Sequence, residues 1–155
     1  MKSKKKSVVA LSLAVAGSLM VAGIAAAAYA TNFNSFPTLQ QGASGGYVRA
    51  LQANLYAFGQ AATVGTIDGS FGSSTKTAVQ NFQTAYGLTS DGSMGPASWS
   101  KMSAYTVAET TSTFWLDTPS STTYYVDYNN PTTSSLVGKL KYKSDNTIVN
   151  SFTVY

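Results

Sequence analysis

The 155-residue chain contains no cysteine and no histidine. Without a thiol there is no disulfide, no thiolate nucleophile and no sulfur through which a lipid could be attached. Without imidazole there is no His-based triad, and with neither residue there is no ordinary zinc site. Charge is scarce as well, with ten Lys and Arg against six Asp and Glu. The acids are scattered and form no calcium loop of the Asp-x-Asp-x-Asp-Gly type. No metal and no cofactor is therefore expected.

The positive excess is concentrated at the start. Lys2, Lys4, Lys5 and Lys6 precede a long apolar run that closes on Ala28-Tyr29-Ala30. A cationic end, an apolar segment and a small-x-small tripeptide read as a secretory signal over residues 1–30, cut after Ala30. A retained membrane anchor is the alternative, because the run approaches the ~20 residues that span a bilayer. Once the four lysines are removed, six cations face six anions over about 125 residues. A neutral chain offers no clustered basic face, so no nucleic-acid partner is expected. No stable membrane association is expected after the signal is removed, and export without disulfides fits a bacterial protein.

The remainder changes texture near Tyr105. Val48, Leu51, Leu55 and Phe58 draw one stripe along a helix, which Gly59 stops. Thr75, Val79, Phe82 and Tyr86 draw a second, closed by Gly87-Leu88. A third helix should open at Pro96, whose missing N–H is not needed at the first helical position, and turn Trp99 and Met102 inward. Beyond it, "TFWLD", "TTYYVDY", "SSLVGKLKYK" and "TIVNSFTVY" are rich in Thr, Val, Tyr and Phe and are separated by the turn sequences "TPSS", "NNPTT" and "SDN". The expected class is α+β. A three-helix bundle over residues 31–105 is followed by a small antiparallel sheet of three to four strands over residues 106–155, with Lys141 and Lys143 facing solvent.

Two stretches, Asp68–Gly72 "DGSFG" and Asp91–Gly95 "DGSMG", differ in one letter, and each opens a helix. Asp-Gly is turn chemistry: the carboxylate accepts from nearby backbone N–H groups while glycine takes a positive φ. The motif is thus structural punctuation used twice, or the rims of one binding surface.

In context the motifs carry a resemblance. Pro37 and Leu39 lead into Gly42, Gly45, Val48, Leu51 and Gln52. Asp68, Gly69, Phe71, Gly72, Thr75, Ala78, Val79, Phe82 and Gln83 follow, then Gly87, Leu88, Asp91, Gly92, Gly95, Pro96 and Trp99. Over about residues 36–105 this pattern resembles the peptidoglycan-binding domain of bacterial cell-wall hydrolases. The departures are Ser98, where much of the family has Thr, and a stretch between Gly59 and Asp68 longer than usual by about two residues. The resemblance implies a secreted, wall-associated module that binds peptidoglycan, the muramyl glycan with its peptide stem, without cleaving it.

Candidate ligand contacts are Tyr47, Arg49, Gln52, Asp68, Phe71, Thr75, Gln83, Asp91 and Trp99, each with a plainer structural alternative. The aspartates can simply hold their turns, Phe71 and Trp99 can close the bundle, the glutamines can bond neighbouring loops, and Arg49 can be merely solvated. An enzyme would have to place its catalyst in residues 106–155. There Glu109 lies in a linker, Asp117, Asp127 and Asp145 fall at or near expected strand ends, and no Ser-x-x-Lys or Gly-x-Ser-x-Gly occurs. No catalytic residue is expected. The sheet half is also unusually aromatic, which suits an unidentified protein or carbohydrate partner, with Tyr125 and Tyr128 as its exposed strip.

Overall fold

The computed structural model describes residues 29–155. The export signal read over residues 1–30 therefore lies almost entirely outside the described residues. Two residues assigned to it, Tyr29 and Ala30, do not, and the Ala30 carbonyl accepts a hydrogen bond from Asn130 Nδ2 at 2.8 Å.

Four helices come first: α1 (Gly46–Ala57), α2 (Ala61–Val64), α3 (Ser73–Ala85) and α4 (Pro96–Ser103). Five strands follow: β1 (Thr106–Ala108), β2 (Thr113–Leu116), β3 (Tyr124–Thr132), β4 (Ser135–Tyr142) and β5 (Ile148–Thr153), an antiparallel meander in the order β1-β2-β3-β4-β5. The α+β class is as expected, but the count is larger by one helix and one strand. The extra helix is the single turn α2, within the long stretch after Gly59. The extra strand is β1, whose three residues pair with Leu116, Trp115 and Phe114 and are too few to show alternation.

Helix α1 is the hub. Its stripe of Val48, Leu51 and Leu55 is buried, and so are Ala50, Ala53, Gln52 and Asn54 on its other sides, because both the helices and β3 pack against it. Gly46 makes the closest approach: a Cβ there would lie 2.3 Å from the Thr153 carbonyl oxygen and 2.4 Å from that of Val154. Only glycine lets α1 begin directly against the end of β5.

Alternation along the strands turns Phe114, Leu116, Val126, Tyr128, Leu136, Leu140 and Phe152 onto the helices. Tyr128 donates from its hydroxyl to Asn54 Oδ1 at 2.7 Å, a buried bond between sheet and α1. Phe33, from the segment before the helices, fills the junction, with the rings of Phe36, Tyr128, Phe114 and Trp99 at 5.3 to 6.0 Å. The helices and the sheet thus share one core.

Three sequence readings of the sheet are corrected. Tyr128 is buried rather than exposed, because residues three apart on a strand cannot share a face, and Tyr125 holds the outer one. Asp127 is not at a strand end. β3 runs on through Asn129-Asn130-Pro131, read as a turn, so Asp127 sits mid-strand and is ion-paired with Lys141. Nor do the lysines simply point to water: Lys143 donates to the carbonyls of Thr118 and Ser121 and pairs with Asp117.

Candidate functional site

Gln52 projects from α1 into the turn that opens α3. Its amide nitrogen lies 2.9 Å from Asp68 Oδ1, 3.1 Å from the Ser70 carbonyl and 3.2 Å from Thr75 Oγ1, sharing two protons among three acceptors. Its amide oxygen accepts from the Gly69 N–H at 2.8 Å, and Asp68 Oδ1 accepts from the Ser70 N–H at 2.8 Å.

The second turn repeats this atom for atom. Gln83 of α3 donates to Asp91 Oδ1 and the Ser93 carbonyl, both at 2.9 Å, and to Ser98 Oγ at 3.1 Å. It accepts from the Gly92 N–H at 2.9 Å, and Asp91 Oδ1 accepts from the Ser93 N–H at 2.8 Å. Gly69 and Gly92 hold φ of 78° and 73°. The repeat extends to what covers them. A Cβ on Gly69 would meet Arg49 Nε at 2.9 Å, and one on Gly92 would meet Lys76 Cγ at 2.8 Å, so each turn is roofed by a basic side chain from the helix that also carries its glutamine, Arg49 of α1 and Lys76 of α3. The two similar stretches are therefore one device used twice, a buried glutamine latching an Asp-Gly turn ahead of a helix.

The latches leave an electrostatic signature. Hydrogen bonds from Gln52 and the Ser70 N–H hold the Asp68 carboxyl below its ordinary value of 3.8. The Ser93 N–H and Gln83 do the same for Asp91. A carboxyl lowered in the folded state adds stability that is complete above its unfolded value and disappears as pH falls through the folded one. The thermal midpoint should therefore drop as pH falls below about 4. That acid limb should flatten in an Asp68→Asn, Asp91→Asn double variant, which keeps the acceptor but not the titration. Parallel melting curves for the two proteins between pH 2 and pH 6 would contradict the assignment.

Beside the first latch lies a shallow groove of about 400 Å³ between the α2 end and the α3 start. Its floor is Gln52, Val64 and Thr75, and its rim is Thr66, Asp68, Ser70, Ser73 and Ser74. Such a rim offers hydroxyl donors and acceptors and one carboxylate at solvent level.

The sequence-derived candidates divide accordingly. Gln52, Asp68 and Thr75 meet at this groove, with the exposed Arg49 over its turn. Gln83 and Asp91 form the second latch. Phe71 and Trp99 are buried in the core, Trp99 donating from its indole to the Pro37 carbonyl at 2.9 Å. Tyr47 is half-buried against Phe36, with Tyr155 beside it. Thr66, Ser73 and Ser74 were not singled out from sequence. The available signal was the longer stretch after Gly59, which builds α2 and supplies Thr66, whereas Ser73 and Ser74 open α3 and carried no signal of their own.

Serine-lysine spacings do occur in this half, at Ser73-Lys76 and Ser98-Lys101, as does Gly-x-Ser-x-Gly at Gly42–Gly46. The Lys76 stem lies over Gly92, Lys101 Nζ is 5.8 Å from the centre of the Tyr86 ring, and Ser98 is tied to Gln83. Ser44 bridges to Ser70 in a chain without histidine.

Short helices joined by two latched turns, with a shallow hydroxyl-rimmed groove beside the first, define a small helical module. Residues 44–102 match the family "Putative peptidoglycan binding domain", and the chain belongs to that family. It is 48% identical over 65 residues to the zinc D-Ala-D-Ala carboxypeptidase of Streptomyces albus G, a match covering 42% of this chain and 26% of that protein. It is 44% identical over 82 residues to an uncharacterized protein in the bpoA1 3' region of Kitasatospora aureofaciens, covering 52% of this chain and 67% of that one. The chain thus spans only about a quarter of the length of the carboxypeptidase.

Proposed function

We propose that the protein is a secreted, wall-associated bacterial module that binds peptidoglycan through its helical half and does not cleave it. The observation that carries this reading is the hydroxyl-rimmed groove beside the first latch, in a domain of this family. Binding of glycan and stem peptide there calls for neutral donors and acceptors in fixed positions, which the exposed hydroxyls of Thr66, Ser70, Ser73 and Ser74 supply on a turn that the Gln52–Asp68–Thr75 cluster holds in place in advance of the ligand. Arg49, over the same turn, is placed to meet a stem carboxylate. The absence of histidine and cysteine from the whole sequence favours a binding role, since it removes the thiol, triad and ordinary zinc routes to hydrolysis. Among the described residues no helix is long and apolar enough to cross a membrane.

The test is co-sedimentation of the purified exported protein with insoluble peptidoglycan, with soluble muropeptides measured in the same tubes. The wild type should sediment and release nothing. Ser74→Trp and Thr66→Trp, both at exposed rim positions, should fill the groove and weaken binding roughly tenfold, about 1.4 kcal/mol, with an unchanged circular dichroism spectrum. A wild type left in the supernatant, or muropeptides appearing with time, would sink the reading.

A further inference from the structure

The sheet buries one face on the helices and leaves the other open, and the registers fix what that open face presents. One row across it reads Val107, Trp115, Asp127, Lys139 and Ser151. On one side of this row lie Thr113, Asn129, Val137 and Thr153, and on the other Tyr125, Lys141 and Ile148. Trp115 and Tyr125 are diagonal neighbours on β2 and β3, within the reach of large rings. The Tyr125 ring is held in place: its hydroxyl donates to Asn146 Oδ1 at 2.9 Å, and Lys141 Nζ lies 5.8 Å from its centre. Next to this pair the face dips into a groove of about 350 Å³ lined by Glu109, Thr113, Asp127, Asn129, Val137 and Lys139.

The geometry points to a second carbohydrate-binding site on this outer face, for a neutral glycan chain. A pyranose ring presents a flat C–H face, which stacks on an aromatic ring, and a rim of adjacent hydroxyls, each both donor and acceptor. Asp127, Asn129, Thr113 and Glu109 offer carboxylate, amide and hydroxyl groups at neighbouring register positions, which is the matching pattern for vicinal hydroxyls. Charge selects a neutral ligand over an anionic one. Asp127 is ion-paired with Lys141, and the other two charges lining the groove, Glu109 and Lys139, are opposite in sign, so the groove carries no net charge to attract an acidic polymer. The same composition disfavours a protein partner. Val107, Val137 and Ile148 are separated by charged and polar side chains, whereas the centre of a protein interface is depleted of charge. The site lies on the sheet face away from α1 and does not depend on whether the helical groove binds peptidoglycan.

The experiment is a titration of the ¹⁵N-labelled full exported protein with chitotetraose, cellotetraose and xylotetraose. At least one of the three should move the amide signals of Asn129 and Lys139 and the Trp115 indole, with a Kd on the order of 1 mM. Tyr125→Ala and Asn129→Ala, both on the open face, should each raise that Kd at least fivefold. Co-sedimentation with insoluble peptidoglycan by the same variants separates this site from the helical groove, since they should keep most of that binding. The proposal is overturned if no sugar shifts the outer face at about 10 mM, or if the shifts survive in the double variant. It is equally overturned if the outer-face signals move with protein concentration alone, which would make the face a contact between copies.

Discussion

Replacing Phe33 by alanine should destabilise the protein by about 3–5 kcal/mol, the range for truncating a buried aromatic to a methyl group. Phe33 has no solvent exposure, and its own N–H donates to Ser103 Oγ at 3.0 Å at the end of α4. Its ring lies among Trp99 of α4, Phe114 of β2 and Tyr128 of β3, so the hole would open between the helices and the sheet rather than inside either. Domains of this size carry only about 5–15 kcal/mol in total, so the loss should shift the urea midpoint far toward low denaturant. Far-ultraviolet circular dichroism and tryptophan fluorescence should move together, because both halves rest on the same ring. Phe33→Leu, which retains most of the volume, should cost under about 2 kcal/mol. A loss below about 1 kcal/mol in Phe33→Ala, or a helical half that keeps the wild-type midpoint, would show that the two halves are energetically separate.

That prediction could not have been made from sequence, and the reason is physical. Phe33 belongs to no periodic segment: it lies in a short irregular stretch between the apolar leader and Pro37, where neither a 3.6-residue nor a two-residue repeat marks it as interior. Periodic positions were legible. Val48, Leu51 and Leu55, Thr75, Val79 and Phe82, and the Pro96 start of α4 stand where their spacing put them. So do the stops, since Gly59 and Gly87 hold positive φ after α1 and α3. What spacing missed was either too short, as with α2 and β1, or depended on where a strand ends. Asn129-Asn130-Pro131 reads as a turn by composition, yet it continues β3 past a bulge between Asn129 and Thr132. A similar limit applies to the candidate site. The recurrence of Gln ahead of Asp-Gly was visible, but a contact spanning 16 residues, such as Gln52 to Asp68, is a tertiary fact that no local pattern encodes.

Gln83→Ala should cost about 3–4 kcal/mol, comparable to a core truncation although the residue is polar. Gln83 is almost fully buried and answers four partners at once, so its loss strands the Gly92 N–H, the Ser93 carbonyl and Ser98 Oγ away from water. Ser98 lies next to Trp99, so loosening this turn also frees the start of α4 and the tryptophan it places in the core. The isosteric Gln83→Glu separates hydrogen bonding from volume. Its carboxylate could still accept from Gly92 but would face Asp91 with no proton to give, a buried like-charge contact that raises its folded pKa. Stability lost this way is absent below the unfolded glutamate value of about 4.3 and grows as pH rises through the folded one. The deficit of Gln83→Glu relative to wild type should therefore shrink on acidification. Asp91 behaves in the opposite sense, because its lowered carboxyl stabilises the fold at neutral pH and stops doing so in acid. Urea midpoints at pH 7 and pH 4.5 for wild type, Gln83→Ala and Gln83→Glu distinguish the two contributions. A pH-independent gap between wild type and Gln83→Glu would mean that packing, not the donated protons, holds the turn. Because Gln52 makes the same bonds in the first turn, Gln52→Ala should show a loss of similar size, and it alone should also loosen the floor of the groove.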